Sequence, residues 1–235
     1  MEEGPDRKDS VNPTLQRIDR RAGVEDLASI LAERLRPTER QTLLLEVARR
    51  DAARRRPAEV LADYEANRFV RPAVVSPARL LEWQRIVAEN LPPAFEVMDL
   101  SPLTPLGTCS AVAGVTQDWA VSTIRNAEVV SDPTNVLALE AALRRRELKK
   151  KQPKSVEAVH LATHHRVVRP QFFDGGNRFF SHFNLLALVS AGRDVGGLRF
   201  ETDALRLHLE FYVSALRAAL GQDLAIRIVV LFGAY

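Results

Sequence analysis

The chain has 235 residues, 46% of them apolar and 27% charged, with a net charge of +3; this is the make-up of a globular protein large enough to bury a core. No apolar run approaches the roughly 20 residues that span a bilayer, and the opening MEEGPDRKDSVNPTLQRIDR is polar rather than signal-like, so no membrane contact and a cytoplasmic location are expected. A single cysteine, Cys109, excludes an internal disulfide and a multi-cysteine metal site.

Residues 1–22 carry much charge and few apolar side chains, which predicts a mobile tail. Leu27, Ile30, Leu31 and Leu35 then recur at helical spacing until Arg36-Pro37. Thr38 with Gln41 reads as a capping box opening a second helix through Leu44, Leu45, Val47 and Ala48. PAEVLADYEA, with Val60, Leu61 and Tyr64 on one face, makes a third, so a small helical domain is expected over 23–72.

A second domain, 73–235, is expected to begin after FVRPAVVSP. Ser76-Pro77 is a cap and first-turn pair for a helix to about Leu91, stopped by Pro92-Pro93. AFEVMDLSPLTPLG reads as a strand, with short strands following around 111–115 and 119–130. Asp132 caps a helix from Pro133 to about Lys149. Residues 156–169 and 178–190 pair as an antiparallel hairpin across DGGN. A long amphipathic helix carries Leu205, Leu209, Tyr212, Leu216 and Leu220, and the β-branched AIRIVVLF reads as a last strand. The mixed order predicts an α+β fold, an antiparallel sheet flanked by helices with a small helical N-terminal domain. Neither GxGxxG nor GxxxxGK[ST] occurs, which argues against a Rossmann or P-loop nucleotide site.

Two runs, RRDAARRR (49–56) and RRRELKKK (144–151), concentrate positive charge. Such runs attract phosphate backbones, and they equally suit the C-terminal turns of solvated helices. Neither has interleaved aromatic residues for base stacking, which favours the helix-end reading. Arg49, Arg50, Arg54, Arg55 and Arg56 carry the alternative of RNA or DNA binding. His160, His164, His165, His182 and His208 lack the cysteine and carboxylate companions of a zinc site, so no metal ligands are assigned. Trp83 and Trp119 read as packing anchors, and Cys109 as a small core residue.

Three stretches, in order, resemble the catalytic core of class II aminoacyl-tRNA synthetases, most of all the histidyl-tRNA synthetase branch and its relative, the regulatory subunit of ATP phosphoribosyltransferase. LPPAFEVMDLSPLTP is similar to the first class II motif, VVSDPTNVLALEAALRR to the loop and helix that grip the amino acid, and HRVVRPQ with the return strand containing His182-Phe183 to the second motif. The resemblance covers roughly 77–235. It implies a homodimer through 77–105 and ATP, with Mg, as cofactors. It also implies a nucleotide pocket in which Arg166 is the catalytic arginine on the α-phosphate, with Arg169, Gln171 and Phe183 beside it. Thr134 and Asp132 fall in the substrate loop. Arg125 and Glu128, in TIRNAEVVSDP, either present polar side chains beside the same cleft or belong to an exposed salt-bridged strand.

This sequence also departs from the family pattern. Val168 stands where the family has a glutamate, Ser131-Asp132-Pro133-Thr134 lacks the Arg and Glu of the substrate loop, and nothing resembling the third motif follows LFGAY. The resemblance therefore implies a non-canonical or regulatory paralogue binding a nucleotide or small anionic ligand. The alternative is an ATP-dependent amino-acid-activating ligase in a longer chain, of which this sequence is a C-terminally truncated part.

Overall fold

The computed structural model describes residues 12–171 and 181–229. It divides the chain after Val60, earlier than the border expected near 72: Ile124–Asn126 belongs with the N-terminal unit and the remainder from Leu61 forms the second.

Much of the expected mobile tail is helix α1, Pro13–Ala22. Its ends explain why. The Asn12 side chain accepts from Thr14 N–H at 3.0 Å, Pro13 presets the first turn, and Gly23 closes the helix with a φ of 65°. The next apolar stretch forms α2, Leu27–Ser29, which widens into a π turn over Ile30–Arg34. Helix α3, Pro37–Ala53, starts before the expected capping box: the Glu39 carboxylate, not Gln41, reaches back to the Arg36 N–H at 2.9 Å. Arg40 donates to Asn126 Oδ1 at 3.2 Å, tying Ile124–Asn126 to α3. Helix α4, Pro57–Ala66, occupies the segment read from sequence.

The second unit opens with α5, Pro77–Asn90, followed by β1, Phe95–Val97, and β2, Leu103–Pro105. The Ser76 side chain makes no cap bond, so Pro77 alone shapes that helix start. Strand β3, Ala127–Val129, pairs antiparallel with β2. The strand expected at 111–115 is absent: Thr108–Val112 is a π turn, Gln117–Trp119 a 3-10 turn, and Gly107 and Gly114 take left-handed φ angles of 94° and 67°. Helix α6, Pro133–Lys151, precedes β4, Val159–Val168, and β5, His182–Ala191; α7 spans Arg199–Leu220. AIRIVVLF forms no strand over Ala225–Val229, and its remainder lies outside the described residues.

Strands β4 and β5 pair antiparallel from Val159↔Ala191 to Val168↔His182, and β1 joins the far edge of β4 in parallel, giving the order β1-β4-β5. The fold is therefore α+β, with a mixed rather than purely antiparallel sheet. The alternation of β4 sorts its side chains to two faces. Val159 and Leu161 pack with Leu137 and Ala141 of α6, whereas Ala162 packs with Val87 of α5 and Phe211 of α7. The sheet is thus the middle layer of a three-layer sandwich, and each fully buried large side chain in it contributes about 1.5–3 kcal/mol. Among the described residues no helix is long and apolar enough to cross a membrane.

Candidate functional site

The site forms where β4 ends beside the start of α6. Asp132 Oδ1 accepts from the Thr134 N–H at 3.0 Å and the Thr134 hydroxyl at 2.8 Å, and Pro133 fills the first helical position. The cap spends one carboxylate oxygen and the Thr134 hydroxyl. The other oxygen, Oδ2, meets Arg169 Nη2 at 3.3 Å. Arg169 follows β4 directly: its N–H donates to the Ser181 carbonyl at 2.8 Å, and its Nε donates to the Ser131 carbonyl at 3.1 Å. Its guanidinium also lies 5.4 Å from the centre of the Phe183 ring.

This ion pair lines a cleft of about 230 Å³. Cys109, Val115 and Trp119 form one wall; Ser131, Asn135 and Gln171 supply polar groups. Gln171 Oε1 is buried, and no described residue donates a hydrogen bond to it. Sequence reasoning assigned Cys109 and Trp119 to packing; it included Ser131 and Asn135 in the substrate-loop stretch without giving either a role. Folding of the 107–119 loop is what brings Cys109 and Trp119 to them.

Glu128 holds that loop. It is 1% exposed and accepts from the Gly107 N–H at 2.9 Å, the Cys109 N–H at 2.7 Å and Gln117 Nε2 at 2.7 Å. With both oxygens occupied, Glu128 positions the cleft wall rather than facing a ligand. Arg125 lies in Ile124–Asn126, the stretch that belongs to the N-terminal unit.

Arg166 and Arg169 do not come together. Arg166 sits opposite Asn184 on the sheet face of Ala162 and His164, whereas Phe183 is opposite Val167 on the face of α6. The exposed Arg166 guanidinium meets His182 Nδ1 at 2.6 Å, and His182 Nε2 meets the Arg71 carbonyl at 2.6 Å. A carbonyl only accepts, so His182 carries its proton on Nε2 and Nδ1 accepts from Arg166. The pocket expected to join Arg166 with Arg169, Gln171 and Phe183 is split by the sheet, because alternate strand positions face opposite sides.

Burial holds His160, His164, His165 and His208 below the ordinary imidazole range, with a nearby Asp99 charge opposing this at His165 and His160 reinforcing it at His208. No group of three or more His, Cys, Asp or Glu side chains among the described residues is placed to hold a metal ion. Both basic runs have partners of their own. Arg50 pairs with Glu46 at 2.9 Å and Arg56 with Glu59 at 2.8 Å. In the second run Arg144 binds Glu96 and Glu140, and the buried Arg145 donates to the Glu157 carbonyl.

No protein-family model and no curated protein matches the chain. Among solved structures it is similar to an ATP phosphoribosyltransferase regulatory subunit/histidyl-tRNA synthetase from Bacillus halodurans, at 13% identity and a TM-score of 0.44 over 63% of this chain and 37% of that one. It is also similar to a pyrrolysyl-tRNA synthetase from Desulfitobacterium hafniense, at 15% identity and a TM-score of 0.44 over 69% and 51% of the two chains. A third likeness is to histidyl-tRNA synthetase from Nostoc sp., at 15% identity and a TM-score of 0.37 over 60% and 34%. The chain spans about a third to a half of the length of these solved chains.

Proposed function

We propose that the chain is a class II synthetase-like paralogue that binds a small carboxylate-bearing ligand of amino-acid size, rather than one that forms adenylates by itself. The observation that carries this reading is the Arg169–Asp132 pair on the wall of the 230 Å³ cleft. A guanidinium has five N–H donors; the described residues engage Nε and Nη2 of Arg169, and Nη1 is the group this reading gives to a carboxylate. The Asp132 carboxylate offers an acceptor for an ammonium group. Opposite charges side by side suit a zwitterion. The volume lies below the roughly 300–1,000 Å³ of pockets for drug-sized ligands, which supports an amino acid more than a complete nucleotide. Arg166, on the other sheet face, has no part in this reading.

Titration calorimetry with a panel of free amino acids tests it, using wild type, Arg169→Gln, Asp132→Asn and Arg166→Gln. Asparagine retains the cap, so Asp132→Asn removes charge while leaving the helix start intact. Loss of one charged hydrogen bond is worth about 1.5–3 kcal/mol, so Arg169→Gln is expected to weaken binding by roughly 10- to 150-fold and Arg166→Gln to leave it unchanged. The opposite ranking of the two arginines refutes the proposal, as does the absence of binding by any amino acid.

A further inference from the structure

A second cleft, of about 440 Å³, opens elsewhere in this unit, between the start of β4 and the first turns of α7. Its walls are largely apolar, from Val156, Val195, Phe200 and Leu207. Arg193, Arg199 and Arg206 also line it, against one carboxylate, Asp203. That carboxylate is already engaged by Arg206 at 3.5 Å, and Arg206 additionally meets Glu210 at 3.3 Å. Arg193 and Arg199 have no hydrogen-bond or ion-pair partner among the described residues. The cleft thus combines two uncompensated guanidinium groups with a hydrocarbon lining.

His160 also lines this cleft, held by its other side. Its Nδ1 is 2.7 Å from the Ser190 hydroxyl, which is 2.8 Å from His208 Nε2, and Phe95 packs against both rings with centroids 5.4 Å away. This relay fixes the ring and leaves Nε2 as the imidazole atom without a partner among the described residues. A Cβ at Gly192 would collide with the Phe200 ring, so glycine there is what lets Phe200 take its place in the wall.

We infer that this cleft is a binding site for an organic oxyanion with an apolar body, a phosphate monoester or carboxylate whose anionic end meets Arg193 and Arg199 while its hydrocarbon part lies against Phe200 and Leu207. Guanidinium groups match such ends by paired N–H donors, and the apolar wall adds the hydrophobic term.

Phenyl phosphate, inorganic phosphate and phenol separate the two contributions in NMR titrations that follow the ring signals of His160. Phenyl phosphate is expected to shift those signals saturably and to bind at least about tenfold tighter than inorganic phosphate or phenol. Arg193→Gln/Arg199→Gln is expected to weaken it by about tenfold or more while the melting temperature stays unchanged, because neither arginine supports the fold. Arg169→Gln, in the other cleft, is expected to leave it unchanged. The inference is overturned by the absence of a saturable shift, equal affinity for phenyl phosphate and inorganic phosphate, undiminished binding in the double variant, or loss of binding in Arg169→Gln.

Discussion

Replacing Glu128 by glutamine tests whether this carboxylate holds the cleft wall. Oε1 accepts from the Cys109 N–H, and Oε2 from the Gly107 N–H and Gln117 Nε2. An amide has one oxygen. With its NH2 toward Gly107, two donors lose their acceptor; with NH2 toward Cys109, one does, so the second orientation is preferred. At 1% exposure no water replaces the lost acceptor, and one buried unmet donor costs about 1–3 kcal/mol. The two bonds that remain also lose their charge assistance, which roughly doubles the strength of such bonds. The expected loss is about 2–3 kcal/mol, or on the order of 4–12 °C in melting temperature for a chain of this size. Thermal melts measure it directly. Amino-acid titration of the same variant, below its melting range, is expected to show weaker binding because the wall bearing Cys109 and Trp119 loosens. A stability loss under about 0.5 kcal/mol, within the range of ordinary surface substitutions, refutes the reasoning.

Leu137→Ala opens a cavity at a fully buried position between α6 and the sheet and is expected to cost about 2–5 kcal/mol, read from urea unfolding. Gly192→Ala forces its methyl against Phe200 and is expected to cost about 1–3 kcal/mol while reshaping the arginine-lined cleft, with phenyl phosphate titration as the second readout. Stability is expected to fall with acid through the buried His165 and the half-buried His160, His164 and His208. His160, His164, His165 and His208 are held below their ordinary values, chiefly by burial, so the unfolded chain takes up protons first, near about pH 6.5. Their contribution is fully present above that pH and is lost as pH falls toward the lowered values. Melting temperatures measured from pH 8 to pH 5.5 check the sign, and a rise on acidification contradicts it.

Elements framed by strong local signals were legible in the sequence. Pro57 opens α4, Pro77 opens α5, and Asp132-Pro133 opens α6, because these residues act through their own backbone and immediate neighbours. Helix α1 was missed because apolar content outranked its frame of Asn12, Pro13 and Gly23. Within the 107–119 loop, residues 111–115 read as strand because Val112 and Val115 are β-branched. Its conformation rests instead on Glu128, 19 residues from Cys109, and no local rule sees that distance.

The site was partly readable for a reason that strand geometry makes explicit. Sequence similarity placed Arg166 and Arg169 together, yet residues three apart in extended backbone point to opposite faces. Counting from Val167, the parity alone puts Arg169 with Phe183 and Arg166 with His164 once the hairpin register is known. What parity does not supply is the partner: Arg169 becomes a binding candidate because Asp132, 37 positions earlier, is brought to it by the cap of α6. The same carboxylate therefore starts a helix with one oxygen and sets the charge pattern of the cleft with the other, and Asp132→Asn separates those roles.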